Sequence, residues 1–219
     1  MTGPGSPDLS SENWRDRLRV SRDLGTGFAA PGGEFTRALF EWSMMPGGDF
    51  LKKIITGARM VELGAGMMPH GYALACEGMA KNFVAVEPFY ADRQEIAQLG
   101  LIDSGDLRKC RIPRKVVGQD MLSYLQGEAD GLLCLLACGI ENCILPDDTY
   151  RKKVEGEIER VLERDRFFIS SHSDLFPQGL LARTFSFERP STPGLVDRLC
   201  LHGHAEAFEK WGNFLPDTG

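Results

Sequence analysis

The run Arg59-Met-Val-Glu-Leu-Gly-Ala-Gly66 constrains the fold more than any other stretch of the chain. It reads as a short apolar strand with an acid near its end, breaking into a turn where Gly64 and Gly66 stand one residue apart. Further on, Asn82-Phe-Val-Ala-Val-Glu87 is a second apolar strand that also ends on an acid. A strand, a glycine turn, a helix and a second acid-ended strand make a nucleotide-binding unit of a parallel sheet. The two glycines let backbone approach a ligand where a Cβ would collide. Glu87 stands where a carboxylate accepts hydrogen bonds from ribose hydroxyls.

The ligand class follows from the turn itself. In the dinucleotide fingerprint a third glycine lies three residues after the second, and here that position is Pro69. A carboxylate at Glu62 is unfavourable beside a doubly charged pyrophosphate and favourable beside a sulfonium and an amino group. At these residues the chain resembles the class I S-adenosylmethionine-dependent methyltransferases, whose first motif runs acid-x-Gly-x-Gly, as Glu62-Leu-Gly64-Ala65-Gly66 does. The chain departs from that family at Met68, where a further glycine is common, and in a slightly long separation of Glu62 from Glu87. A longer loop over Met67 to His70 accounts for both. An ordinary tight turn without a ligand is the structural alternative.

The order of elements supports a doubly wound, mostly parallel α/β sheet. Met60 to Leu63 and Phe83 to Val86 are the first two strands, with a helix from Gly71 to Met79 between them and another over Ala91 to Leu99. Lys115 to Met121 is a third strand ending on Asp120, and Ala129 to Ala137 is a continuous apolar run suited to a central strand buried on both faces. A helix over Tyr150 to Arg164 and a fifth strand over Arg166 to Ser170 follow. Ala182 to Phe187 and Ala205 to Phe208 alternate with period two and predict an antiparallel terminal pair. Together these match the seven-stranded sheet of the same methyltransferase class. Residues 1–56 are expected to form a flexible tail and a helical cap or lid, and 57–219 the cofactor-binding domain. Within the cap, Phe35, Leu39 and Trp42 fall at helical spacing; Gly25-Thr-Gly27 and Pro31-Gly-Gly33 read as loop, and Pro46-Gly-Gly48 as a break.

The resemblance implies S-adenosylmethionine as cofactor, held by Glu62, Gly64, Ala65, Gly66, Glu87, Pro88, Asp120, Met121, Ala137 and Cys138. Asp120 would meet the adenine amino group while Met121 packs on the ring; a solvent-exposed loop acid is the bland alternative. Ala137-Cys138-Gly139-Ile140-Glu141 occupies the place where the family closes over the methionine half. Glu87-Pro88 with an aromatic after it resembles one small-molecule O-methyltransferase subfamily, but that subfamily's Lys-x-Asp-x-Glu-Gly run is absent. Methyl transfer needs an in-line nucleophile, and an oxygen nucleophile a base. Glu141 after the fourth strand and His172 after the fifth are the catalytic candidates, set against plain capping or loop hydrogen bonding.

The sequence also trims alternatives. With an apolar fraction of 42%, a charged fraction of 26% and a net charge of −6, it reads as a globular chain without a nucleic-acid-binding surface. The basic stretch Arg108 to Lys115 is expected to be a solvated loop. No window of 18 consecutive apolar residues predicts a membrane span. The start lacks the regions of a secretory signal, and six cysteines without a Cys-x-x-Cys pair suit buried free thiols, so a cytoplasmic setting is expected. Cys200-Leu-His202-Gly-His204 lacks the paired spacing of a zinc site, so no metal is expected. There is no Asn/Asp-Pro-Pro-Tyr/Phe run and no Pro-Cys nucleophile. The expected substrate is therefore a small-molecule metabolite methylated at oxygen or nitrogen. A catalytically silent binding or partner protein and an NAD(P)-dependent oxidoreductase are the rivals. The sequence does not set the oligomeric state.

Overall fold

The computed structural model describes residues 30–103, 110, 112–141 and 144–216. The chain begins there with two helices, α1 (Ala30–Ser43) and α2 (Phe50–Ile55). Alternating units follow: β1 (Arg59–Leu63), α3 (His70–Glu77), β2 (Asn82–Val86), α4 (Ala91–Asp103), β3 (Arg114–Val117), α5 (Met121–Gln126), β4 (Cys134–Cys138), α6 (Asp148–Val161) and β5 (Phe167–Ser171). A hairpin of β6 (Leu181–Glu188) and β7 (Val196–Gly203), then α7 (Ala205–Trp211) and a short 3-10 turn, complete the described residues. The seven strands lie in the order β3-β2-β1-β4-β5-β7-β6. The first five are parallel, and β7 runs antiparallel to both β5 and β6. The expected mostly parallel sheet with an antiparallel terminal pair is thus present.

Alternation sorts side chains to two cores. On β4, Cys134, Leu136 and Cys138 join the core that holds α1, α2 and α3. Leu135 and Ala137 join the core under α5 and α6 on the opposite face. All of β4 is buried, as a central parallel strand should be. Helix α6 shows why its sequence folds as it does. Asp147 caps it by accepting from the Tyr150 N–H at 2.7 Å, and Tyr150, Val154, Ile158 and Val161 form one buried stripe at helical spacing.

Four expectations need correction. The seventh strand is Val196–Gly203, while Ala205 to Phe208 belongs to helix α7. Ala, Glu and Lys favour helix there, and only Ala207 is buried, so the apparent alternation does not mark a strand. Pro31 to Gly33 lies in the first turn of α1, where proline's missing N–H costs no hydrogen bond. Cys76 and Cys110 are not free thiols but a disulfide with Cα atoms 5.4 Å apart, tying the end of α3 to the segment before β3. The third strand stops at Val117, so Asp120 is not in a strand but starts α5. The Gly25 to Gly27 loop, the terminal tail and much of the Arg108 cluster lie outside the described residues.

Candidate functional site

The carboxyl ends of β1, β2, β4 and β5 lie on one edge, and the sequence-predicted residues gather there. Gly64 and Gly66 both adopt left-handed backbone, at φ 64° and 61°. A Cβ on Gly64 would stand 2.5 Å from Ile140 Cδ1 on a backbone that already favours glycine. Glu87, 5% exposed, pins the turn from the next strand: one carboxylate oxygen accepts from the Gly66 N–H at 2.8 Å. The other accepts from Phe89 and Tyr90 N–H groups at 2.9 and 3.3 Å. Burial pushes its pKa up while these three donors pull it down, leaving it raised. The oxygen that meets Gly66 has one donor and retains acceptor capacity for a hydroxyl, while the other already accepts two. Pro88 is exposed at the start of that loop. From α4, buried Gln94 donates to the Ala65 and Met68 carbonyls, both at 2.9 Å, and so holds the extended glycine loop.

Glu62 has a different environment. It is 2% exposed and lies under α1, where Thr36 Oγ1 donates to it across 3.4 Å. Its Oε2 is buried without a hydrogen-bond partner. Gly71 presses on it so closely that a Cβ would stand 2.1 Å from that oxygen. Burial, with the nearby negative charge of Glu87, pushes the carboxyl up to about 8. Cys138 adjoins this buried pair, and burial raises its thiol to about 12, so it is an inert packing group. Ala137 faces the opposite core.

Asp120 caps α5, accepting from the Ser123 N–H at 3.0 Å and from the Tyr150 hydroxyl at 2.9 Å. It is neither a free loop acid nor a side chain without other work. Met121 is half-buried beside it. Glu141 and His172 line one and the same cavity. His172 has left-handed backbone at φ 48°, a strained conformation for a histidine. Its Nε2 lies 2.9 Å from Asp197 Oδ1, and Asp197, 1% exposed, is gripped by Arg189 at 2.6 and 3.2 Å. Phe35 of α1 stacks flat on the imidazole at 3.8 Å between centroids, with the Arg189 guanidinium 5.0 Å from the Phe35 ring. Asp197, Arg189, Phe35, Thr36 and Gln94 were all missed from sequence, since each acts through a distant partner. The described residues contain no group of three or more His, Cys, Asp or Glu able to hold a metal, and no helix long and apolar enough to cross a membrane.

The arrangement fits S-adenosylmethionine at the points that can be tested. A turn with a glycine on either side of Ala65 offers backbone approach, an orphaned buried carboxyl oxygen suits a cationic group, and a fixed carboxylate suits hydroxyls. No protein-family model matches the sequence, and no curated protein matches it either. Solved structures do share its architecture. A 1,6-didemethyltoxoflavin-N1-methyltransferase from Burkholderia thailandensis, bound to S-adenosylhomocysteine, aligns with 93% of this chain and 93% of its own at TM-score 0.53 and 11% identity. Spermidine synthase from Thermotoga maritima aligns over 79% of this chain and 62% of its own at TM-score 0.51 and 10% identity. The fold is therefore common to a methyltransferase and a synthase, and the reaction must be argued from the site. The chain has the seven-stranded, Rossmann-like fold of the class I S-adenosylmethionine-dependent methyltransferases.

Proposed function

We propose that the protein is an S-adenosylmethionine-dependent methyltransferase acting on an oxygen or nitrogen of a small molecule. The observation that carries this reading is the pair of unlike acids flanking a glycine turn. Glu62 is buried with an orphaned oxygen, and Glu87 is fixed by three backbone donors. A ligand with a cationic amino acid end and a ribose matches that pair. Glu62 would take the ammonium, Gly64, Ala65 and Gly66 the adjoining backbone approach, and Glu87 with Pro88 the ribose side. Asp120 and Met121 would border the adenine, and Ala137 and Cys138, at the carboxyl end of β4, would bring their backbone under the methionine half. When bound, this cofactor supplies a methyl group on a cationic sulfur.

The remaining chemistry belongs to the chain. With Asp197 accepting at Nε2, the imidazole proton sits on Nε2 and Nδ1 carries the lone pair. Arg189 and Phe35 hold Asp197 and the ring in place, so His172 is oriented as a base for the acceptor's proton. Glu141 shares the cavity and is placed to contact the acceptor. The net charge of −6 and the acidic site residues favour a small molecule over a nucleic acid.

The test is calorimetric titration with S-adenosylmethionine and S-adenosylhomocysteine, followed by transfer of labelled methyl to fractionated metabolites and to bulk RNA. Saturable binding with label in a small-molecule fraction is expected. Label confined to RNA would refute the acceptor class, and no binding would refute the cofactor.

A further inference from the structure

Strands β1 to β4 are each followed by a helix, but β5 connects to β6 through residues 172–180 without one. Among the described residues, the sheet face that carries α5 and α6 is therefore left bare over β7 and β6. Alternation along β7 sends Asp197, Leu199 and Leu201 inward and presents Val196, Arg198, Cys200 and His202 to the bare side. The 172–180 connection is not loose. Glu155 and Glu159 of α6 accept from the Phe176 and Gly179 N–H groups at 2.9 and 2.6 Å, which sets Phe176 along the bare face.

A cavity of about 740 Å³ results, within the size range of small-molecule sites. One end follows the carboxyl ends of β4 and β5 and carries Glu141 and His172, the two catalytic candidates. Among the rest, Ser170, Thr184, Cys200 and His202 donate or accept hydrogen bonds without charge, beside one arginine, Arg198, and one acid, Asp174. His202 is 1% exposed, stacked on Phe168 at 5.3 Å and met edge-on by Phe176 at 4.9 Å. Ser170 Oγ lies 3.4 Å from its Nε2, and its Nδ1 has no partner. Burial lowers its pKa to about 4, so the ring is neutral at neutral pH. Among the described lining residues Arg198 is the single lysine or arginine, against the carboxylates of Glu141 and Asp174. A phosphate backbone needs several cations, and the described lining offers one.

We propose that this groove holds the body of the methyl acceptor, and that the acceptor is an uncharged hydroxylated aromatic molecule whose hydroxyl lies at His172. The proposal rests on the methyltransferase reading for its chemistry. The hydroxyl gives its proton to His172 Nδ1 and bonds the methyl carbon, the departing sulfur keeps the bonding electron pair, and the proton passes to solvent. The flat stack of Phe35 on His172 and the Phe176–His202 pair favour a ring, and the neutral hydrogen-bonding walls favour hydroxyl groups over charges.

The test uses the full chain with 7-hydroxycoumarin as a fluorescent probe, near pH 6 so that the probe is neutral. Saturable binding to wild type is expected. Thr184→Trp, at an exposed position of β6, and Cys200→Trp each fill the groove and should weaken that binding roughly tenfold or more. S-adenosylhomocysteine affinity, measured separately, should stay at the wild-type value in both. Absence of probe binding to wild type, equal binding to both variants, or displacement of the probe by a short RNA would overturn the proposal. Failure of S-adenosylhomocysteine alone, with the groove-dependent probe binding intact, would instead remove the methyltransferase reading and leave a ring-binding site.

Discussion

Replacing Glu62 with glutamine should make the protein more stable and a weaker binder of its cofactor. The carboxyl is wholly buried, and its pKa rises from an ordinary 4.5 to about 8. Between those values the unfolded chain has released this proton while the folded chain keeps it. The folded state therefore binds more protons, and stability must fall as pH rises, by about 1.4 kcal/mol per pH unit for one group. The loss begins above the unfolded value and levels off near the folded one, with a total on the order of 5 kcal/mol. Glutamine has nearly the shape of the protonated acid and does not titrate, so Glu62→Gln should escape the penalty. Urea denaturation of both proteins at about pH 5.5 and pH 7.5 should give a stability gap that widens by roughly 2–3 kcal/mol in favour of the variant. Parallel pH profiles would refute the buried, protonated carboxyl. The same reasoning applies to binding. A cationic amino group favours the ionised carboxylate, so S-adenosylmethionine binding near pH 7 should release close to one proton. Titration calorimetry in two buffers of different ionisation heat reads that proton directly. Heats independent of buffer, or equally dependent in Glu62→Gln, would remove Glu62 from the cofactor site.

Three further outcomes are expected. Glu87→Ala frees the Gly66 N–H and the 88–90 turn as well as any ribose contact, so cofactor affinity should fall by roughly 1.5–3 kcal/mol; an unchanged dissociation constant by calorimetry would exclude that role. His172→Ala should lower turnover about 10²- to 10⁴-fold with cofactor affinity intact, and Asp197→Asn, whose amide can donate to Nε2 and so favour the wrong tautomer, should lower turnover as well; turnover equal to wild type in His172→Ala would rule out the base. Reduction of Cys76–Cys110, which closes a separation of 34 residues, should cost roughly 3–4 kcal/mol and lower Tm by on the order of 10 °C in a thermal melt, and a melt insensitive to reductant would contradict the bridge.

The parallel half of the fold was legible because its signals are local. Each of β1 and β2 announces itself by an apolar run and a terminal acid, and β4 by a run buried on both faces. Strand β7 was hidden because Asp197, Arg198 and His202 interrupt its apolar residues. Asp197 can be buried there only through Arg189, which the hairpin supplies from eight residues away. The disulfide was equally illegible, since Cys110 reaches Cys76 only after β3 has taken its place at the sheet edge. The partners that finish the site are also distant in sequence. Thr36 meets Glu62 across 26 residues, Gln94 meets Ala65 across 29, and His172 meets Asp197 across 25.

Those distant partners also decide what each acid can do. Glu62 and Glu87 look alike in sequence, both at the ends of neighbouring apolar strands. Glu87 meets three N–H donors, which already satisfy much of its charge, so it gains little from a cation and suits neutral hydroxyls. Glu62 meets one long hydrogen bond and otherwise apolar or backbone surroundings, so a positive ligand group gains the most there. The difference comes from α1, which covers one acid and not the other. A ligand bearing an ammonium at one end and a ribose further along would thus be oriented by burial rather than by sequence.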